Sequence, residues 1–407
     1  MMKTNKFDPA LYFIVFLLTY VGYYSILLLL FNLGMGDVTR TITIPIRLLI
    51  ITSLVILFFN NIKKIHRQDN LRWFLLFSLF YIARLLVDYL SNETYYIGVP
   101  EVMIFFLSFV FLPFVIISSI RLDTKKINAI FSSLWLGGIV FSVLVVVYYG
   151  RFIGQVSRLA SNTVGESVIS PLSLSYSSSI IIGIFVFYLL QNKTTFIRKI
   201  GLLVGIGLST VPFFLGASRG SLVALFIPFV LYFFSGKNIN FRIRGILSAS
   251  VVFMGLIYLD SYFQSGLLNR FLGTSEAIER GESSAVRIEI WKGAFDQFFN
   301  NPVFGDKLRI DKWPFGYAHN LFVEVLQTTG LLGFIPFTVL VFKAWKISFY
   351  ILRYHKPYFW VAVIFIQSFF MNMFSGAIYT AAWFWSSMAL LFAMNNFLKY
   401  RQNKILQ

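Results

Sequence analysis

The residues able to do chemistry are few. His319 stands with Asn320 at the mouth of an apolar run in FGYAHNLFVEVLQTTGLLGF, residues 315–334, and the chain has only three histidines. A neutral imidazole accepts a proton near neutral pH, the work of a general base. The N-terminus of the helix it precedes offers free N–H groups and a partial positive charge, both favourable to an anion. Arg219 lies in GASRGSL, residues 216–222, between two short apolar runs and beside Gly216 and Gly220. Glycines permit a tight turn with N–H groups turned to an anion, and a guanidinium fork matches phosphate oxygens in pairs. Arg287 precedes Trp291 by one helical turn. The set suits a proton acceptor working beside an anion gripped by arginines. The competing readings are a histidine that merely caps its helix and an arginine that snorkels to lipid headgroups.

The elements that must position these residues are membrane spans. Hydrophobic residues make up 57% of the 407 and charged residues 13%, about half the share of a soluble domain. Apolar runs long enough for a bilayer core, roughly 20 residues each, recur from end to end. They lie near 10–32, 42–60, 72–90, 98–120, 127–149, 171–190, 200–216, 221–235, 245–263, 320–342, 359–378 and 380–397. The expected fold is an all-α integral membrane protein of about 12 transmembrane helices, one polytopic domain over residues 1–407. The first run is too long for a signal-peptide core and has no small-residue cleavage pattern, so it reads as a retained span. With both termini in the cytoplasm, the inner segments hold 22 of the 35 Lys and Arg, as the positive-inside rule requires. That distribution accounts for the net charge of +18 without nucleic acid as a partner. The absence of cysteine removes disulfides, thiol catalysis and cysteine-held zinc.

Inside, Lys leads Arg; outside or within spans the balance reverses to ten Arg against three Lys. Outer arginines oppose the topology rule, and an anionic ligand is one reason to keep them; pairing with acids such as Glu276, Glu279, Glu282 and Asp306 is the other. Arg47 and Arg84 lie within spans two and three, roughly 8 Å from their outer ends. Arg84 and Asp88 stand one turn apart, a spacing that permits mutual neutralisation. The long outer loop, residues 264–319, contains its own helix, with Ile288, Trp291, Ala294, Phe295, Phe298 and Phe299 at helical spacing and Asn301-Pro302 as its stop. That stripe suits a helix lying on the membrane or packed over the span ends. His66 and His355 fall in basic inner loops and are expected to be solvated. Glu289 and Glu324 show no paired-carboxylate motif of the glycosidase kind.

The ordered trio of SRG between two short spans, RIEIWKGAFDQFFNNPVFG and HNLFVEVLQTTGLLGF resembles the core of the O-antigen ligase and O-antigen polymerase superfamily, bacterial multispanning glycosyltransferases of the GT-C type. The resemblance covers about 200–345, over a third of the chain. It implies glycan transfer from a polyprenyl diphosphate-linked oligosaccharide donor to a lipid-linked acceptor at the periplasmic face of the bacterial inner membrane, with no metal and no cofactor. By motif position Arg219 and Arg287 match arginines assigned to the diphosphate, and His319 matches the histidine proposed to activate the acceptor. Arg47, Arg84, Asn320 and Arg270 are further candidates for substrate contact. Membrane lipids, a flippase and a chain-length regulator are the candidate partners. Within the superfamily a polymerase extends one lipid-linked chain with another, whereas a ligase moves glycan to lipid A–core. Basic outer loops and the greater number of polymerases favour the polymerase; of its Arg-x10-Gly pattern only Arg270 to Gly281 fits, and the 150–170 loop has none. A flippase or other secondary transporter would show two related halves and charges near mid-membrane, which this sequence does not.

Overall fold

The computed structural model describes residues 8–35, 39–61, 69–159, 169–191, 195–235, 239–273, 283–311, 313 and 316–405. Among these the architecture is all-helical, with no strand and one isolated bridge, Ile310 to Trp313. Runs of Leu, Ile and Phe destined for lipid leave no other choice, because only a helix satisfies its own backbone groups within one segment. In order, the helices are α1 (Asp8–Thr19), α2 (Val21–Leu30), α3 (Thr39–Asn61), α4 (Asp69–Leu90), α5 (Val99–Ser119), α6 (Thr124–Tyr149), α7 (Pro171–Gln191) and α8 (Phe196–Gly216). They continue as α9 (Arg219–Ser235), α10 (Ile239–Phe263), α11 (Leu267–Leu272), α12 (Ser283–Asn300), α13 (Leu321–Tyr354), α14 (Phe359–Phe374) and α15 (Ala382–Ile405).

Each of the twelve expected spans has a helical counterpart, but fewer meet the requirements for crossing a bilayer. Among the described residues nine helices are long and apolar enough, and a tenth span counts if α1 and α2, bent by 64°, form one. The apolar run near 10–32, read as one retained span, is bent between Thr19 and Val21. Helix α9, at 17 residues, is short. Helix α15 contains Trp383, Trp385, Ser386, Ser387, Asn395 and Asn396, which lower its hydropathy. It tolerates them because Phe384–Met394 is buried in protein, so no lipid-facing stripe is needed there. The segment 343–354, read as part of a loop, continues as helix. His66 lies outside the described residues.

The chain divides into two compact units. The first comprises Met1–Lys63, Leu122–Phe271 and Ser348–Ser368; the second Lys64–Arg121, Leu272–Ile347 and Phe369–Gln407. In the first, α1 and α2 pack on α6, and α7 lies along α8. Small residues let these helices approach closely, the usual device where lipid removes the hydrophobic incentive. Ser142 and Ser209 meet at 2.9 Å, and a Cβ on Gly216 would collide with the Pro171 carbonyl and Ser175. His355 also lies in this unit. It is half-buried against Tyr350, ring centroids 4.8 Å apart, not solvated as expected, and burial lowers its pKa.

In the second unit α4, α5, α13 and α15 meet in an aromatic core. Phe74 stacks on Phe114 at 3.7 Å, and Trp385 on Phe77 at 5.2 Å with Phe337 beside it at 5.8 Å. Helix α13 is broken at Gly330 (φ 54°, ψ −159°), a conformation open in practice only to glycine. The groups freed by the break are taken up by the chain that follows α12. Leu331 N–H donates to Pro302 O at 2.9 Å, Leu332 N–H to Val303 O at 3.2 Å, and Asp306 N–H to Gln327 O at 2.6 Å. A Cβ at Gly330 would stand 2.5 Å from Gly305 N, and one at Gly305 (φ 74°) would stand 2.5 Å from Gly330 N. Gly330→Ala or Gly305→Ala should therefore cost at least about 3 kcal/mol through strain and backbone clash. A fall in melting temperature and in purified yield of both variants checks this.

Candidate functional site

The residues 301–311 form a frame before any functional side chain is placed. Gln297 donates to Arg309 O at 3.0 Å, Gln327 to Lys307 O at 3.1 Å, and Asp88 accepts the Leu308 N–H at 2.8 Å. Arg84 is committed to the same carboxylate, with Nε at 2.9 Å and Nη2 at 2.5 Å from Asp88 Oδ1. The neutralising pair considered from the i,i+4 spacing is therefore present, and it anchors the loop. Arg309 and Lys307 add contacts to Glu93, at 3.5 and 3.9 Å.

Helix α12 packs over this frame with Ile290 and Ala294 in a cluster that also holds Ile310, Ala318 and Val323. The apolar stripe read from the sequence is rotated with respect to this face. Ile288, Phe295 and Phe299 are exposed, so the helix carries two apolar sides, one on protein and one free. Trp291 Nε1 donates to Ala318 O at 2.7 Å, which fixes the backbone immediately before His319.

His319 has a left-handed backbone (φ 55°), uncommon for any residue but glycine. It does not cap α13. Asn320 does: its Oδ1 accepts the N–H groups of Phe322 (3.0 Å) and Val323 (3.3 Å), and its Nδ2 donates to Met373 O. The amide of Asn320 is thus occupied in positioning, and the imidazole is left out of the helix's own hydrogen bonding. The ring lies 4.2 Å from that of Tyr317, and Nδ1 is buried with no hydrogen-bond partner among the described residues. An orphaned buried nitrogen calls for a partner, a water or a substrate hydroxyl. Burial, with the positive charge of Arg287 added, pushes His319 down to about 4, so it is a neutral base over the physiological range. His319 and Arg287 both lie in the second unit, within electrostatic reach of each other.

Arg219 belongs to the first unit. It opens α9 directly after a two-residue turn in which Ala217 takes the left-handed conformation (φ 39°) that ends α8. The turn is held from three sides: Leu159 N–H donates to Leu215 O at 2.8 Å, Arg158 Nε to Gly216 O at 3.2 Å, and Ser221 Oγ to Ser218 O at 2.7 Å. Gly216 is required here for close packing on α7. Arg219 itself is half-buried, as is Arg47 on α3. Arg270, on α11, reaches Ser157 Oγ at 3.4 Å. Gly281, the other end of its Arg-x10-Gly pattern, lies outside the described residues.

Residues 204–338 match the family described as O-antigen ligase. That segment is a domain of the O-antigen polymerase and ligase superfamily. Superfamily members are glycosyltransferase-like enzymes, and lipid-linked oligosaccharides are the substrates the family implies. Together with the apolar helices, the match identifies an integral membrane protein of polysaccharide biosynthesis. No curated protein matches the chain. Arg219, Arg287 and His319 all fall within the matched segment of the superfamily domain.

Sequence reasoning considered Glu324 only as half of a carboxylate pair and gave it no place in the site. Glu324, five residues after His319, is 1% exposed, and both its oxygens accept the Ile378 N–H at 3.2 Å. A lone acid in the first turn of an otherwise apolar span was the available signal, since such residues are costly in lipid. Around it gather Tyr95, Tyr317 and Tyr81; the Tyr81 hydroxyl is buried and has no partner among the described residues.

Proposed function

We propose that the protein is a repeat-unit polymerase, transferring glycan from a polyprenyl diphosphate carrier to a sugar hydroxyl on a second lipid-linked chain. The reading has twelve spans, both termini in the cytoplasm, and the chemistry at the periplasmic face of the inner membrane. Residues 1–407 act as one polytopic domain, with 264–319 as its large periplasmic loop. The acceptor oxygen attacks the anomeric carbon of the donor sugar as the bond to the diphosphate breaks. The bonding electrons leave on the diphosphate, and His319 takes the hydroxyl proton. Arg219 and Arg287 are assigned to the departing charge, stabilisation that fixed guanidinium groups supply without calling on a metal ion. Arg47 and Arg270 are kept as candidates for further substrate contact, whereas the bonds of Arg84 and Asn320 favour holding roles.

The observation that carries the reading is His319 itself: a neutral, half-buried imidazole with an orphaned nitrogen, beside Arg287, in a backbone conformation that costs stability. Purified protein given lipid-diphosphate repeat units should lengthen the glycan on the carrier. The matching family's description supports one second reading, a ligase. Glycan appearing on lipid A–core, with no longer chains on the carrier, would select it; relocation of donor without a new glycosidic bond would reject both.

The acid side of the pH–rate profile tests the base. A histidine held down to about 4 keeps activity through mildly acidic pH and loses it only as its own protonation begins. Burial is the larger cause of the low value, and Arg287→Gln removes the like charge that adds to it, so the acid limb should move upward. The position of the limb is the readout, because the variant also loses a diphosphate contact and some rate.

A further inference from the structure

The matched family segment, 204–338, contains the three residues assigned to the common chemistry, but it leaves out one wall around His319. That wall is built from Tyr95 and Tyr96, between α4 and α5, and from Ser375 and Tyr379, between α14 and α15. The Tyr96 and Tyr379 hydroxyls lie 2.8 Å apart, and those of Tyr95 and Tyr379 3.5 Å apart. Ser375 is hydrogen-bonded to the hydroxyl of Tyr317, the ring that packs on His319. Tyr96 and Glu324 are both within electrostatic reach of that same hydroxyl, so the two groups converge.

The α14–α15 connection is tied to the helix turn beside His319 at two points. Asn320 Nδ2 donates to Met373 O at 3.3 Å, and the Glu324 carboxylate receives the Ile378 N–H, next to Tyr379. Exposure falls inward along the cluster: Tyr96 is 45% exposed, Tyr95 8%, Tyr379 0% and Glu324 1%. Burial raises the pKa of Tyr95 and Tyr379, so their hydroxyls stay protonated and able to donate. The Tyr81 hydroxyl, wholly buried near Glu324 and Tyr95, lacks a partner among the described residues. Such a group marks polar space that protein alone has not satisfied.

Aromatic faces with hydroxyl edges, backed by a carboxylate, suit a pyranose, which has a C–H face for the ring and hydroxyls for the rim. We infer that Tyr96 and Tyr317, held by Tyr379, Ser375 and the buried Glu324, receive the terminal sugar of the acceptor and set which sugar is accepted. The inference rests on the glycosyl-transfer reading of His319. It joins Tyr317 and Glu324 of the family segment to Tyr96, Ser375 and Tyr379 from outside it, so part of the specificity lies beyond the segment that holds the bond-making groups.

The test separates acceptor from donor. The donor is the host's lipid-diphosphate repeat unit, taken from cells lacking this protein; the acceptor is the same repeat-unit glycan on an alkyl chain without diphosphate, which can accept but cannot donate. Tyr96→Ala and Glu324→Gln should each raise the acceptor KM about tenfold or more while the donor KM stays within twofold. Glutamine retains an oxygen for the Ile378 N–H, so Glu324→Gln keeps the fold; Tyr96→Phe, which keeps the ring and loses the hydroxyl, should fall between wild type and Tyr96→Ala. A matching rise in donor KM, or no change in either, overturns the subsite. A binding arm needs no turnover: native mass spectrometry of a His319→Asn protein with the donor-free repeat-unit glycan should show binding that Tyr96→Ala removes. Lack of that binding overturns the subsite even if wild type transfers glycan. Glycan binding that depends on Tyr96 in a protein that transfers nothing supports the subsite while rejecting the polymerase and ligase readings.

Discussion

His319→Gly should leave the folded protein as stable as wild type, or slightly more so, while glycan transfer falls about 10²–10⁴-fold. The two halves of this expectation come from different physics. At φ 55° a side chain is penalised by about 1–2 kcal/mol, and glycine removes that penalty. What the imidazole gives back is small: ring contact with Tyr317 and no hydrogen bond from Nδ1 among the described residues. The helix N-terminus does not depend on it, because Asn320 supplies the cap. A histidine retained for structure would show the opposite pattern, with stability and activity falling together. His319→Asn, whose side chain tolerates left-handed backbone, provides a second variant with the same expected loss. Thermal melts in detergent and transfer assays on the same preparations decide the matter, and a near wild-type rate in either variant would remove His319 from the reaction.

The helices were legible because their lengths and apolarity answer to one constraint, the bilayer. The count of spans was less so, since α15 is enclosed by protein and α9 stops short, and both reasons lie in tertiary surroundings that hydropathy does not encode. His319 was legible by rarity and position, as was Arg287 by its place beside Trp291. The break at Gly330 was not, because GLLGF reads as helix until Pro302, Val303 and Gly305 arrive to take up the freed groups. Nor was the face of α12, where Gln297 is buried to hold Asp306 and Arg309 while Phe299 stays exposed. Glu324 and its tyrosines come from three separate stretches of chain, and nothing local in any of them announces the others.

Arg219→Ala should reduce transfer about 10²–10³-fold, the usual loss when one donor to a developing anion is removed. The turn that presents Arg219 should survive the change. The hydrogen bonds from Leu159 to Leu215, from Arg158 to Gly216 and from Ser221 to Ser218 that support it use no atom of the Arg219 side chain. Arg219→Lys keeps the charge and loses the fork, so it should recover only part of the rate if two phosphate oxygens are gripped together. Full recovery by lysine would indicate a point charge acting at longer range. Helix α9 gives the reason to expect an effect at all: 17 residues rise about 26 Å, short of a hydrocarbon core near 30 Å. A guanidinium at the first position of so short a helix sits close to the apolar region, where its cost demands a return. The absence of cysteine makes the placement directly testable, since single cysteines at 219 and 319 can be labelled without background. Both should react with a membrane-impermeant reagent from the periplasmic side. Labelling from opposite sides would mean that no single diphosphate leaving group can be served by both residues, whatever the kinetics of each variant.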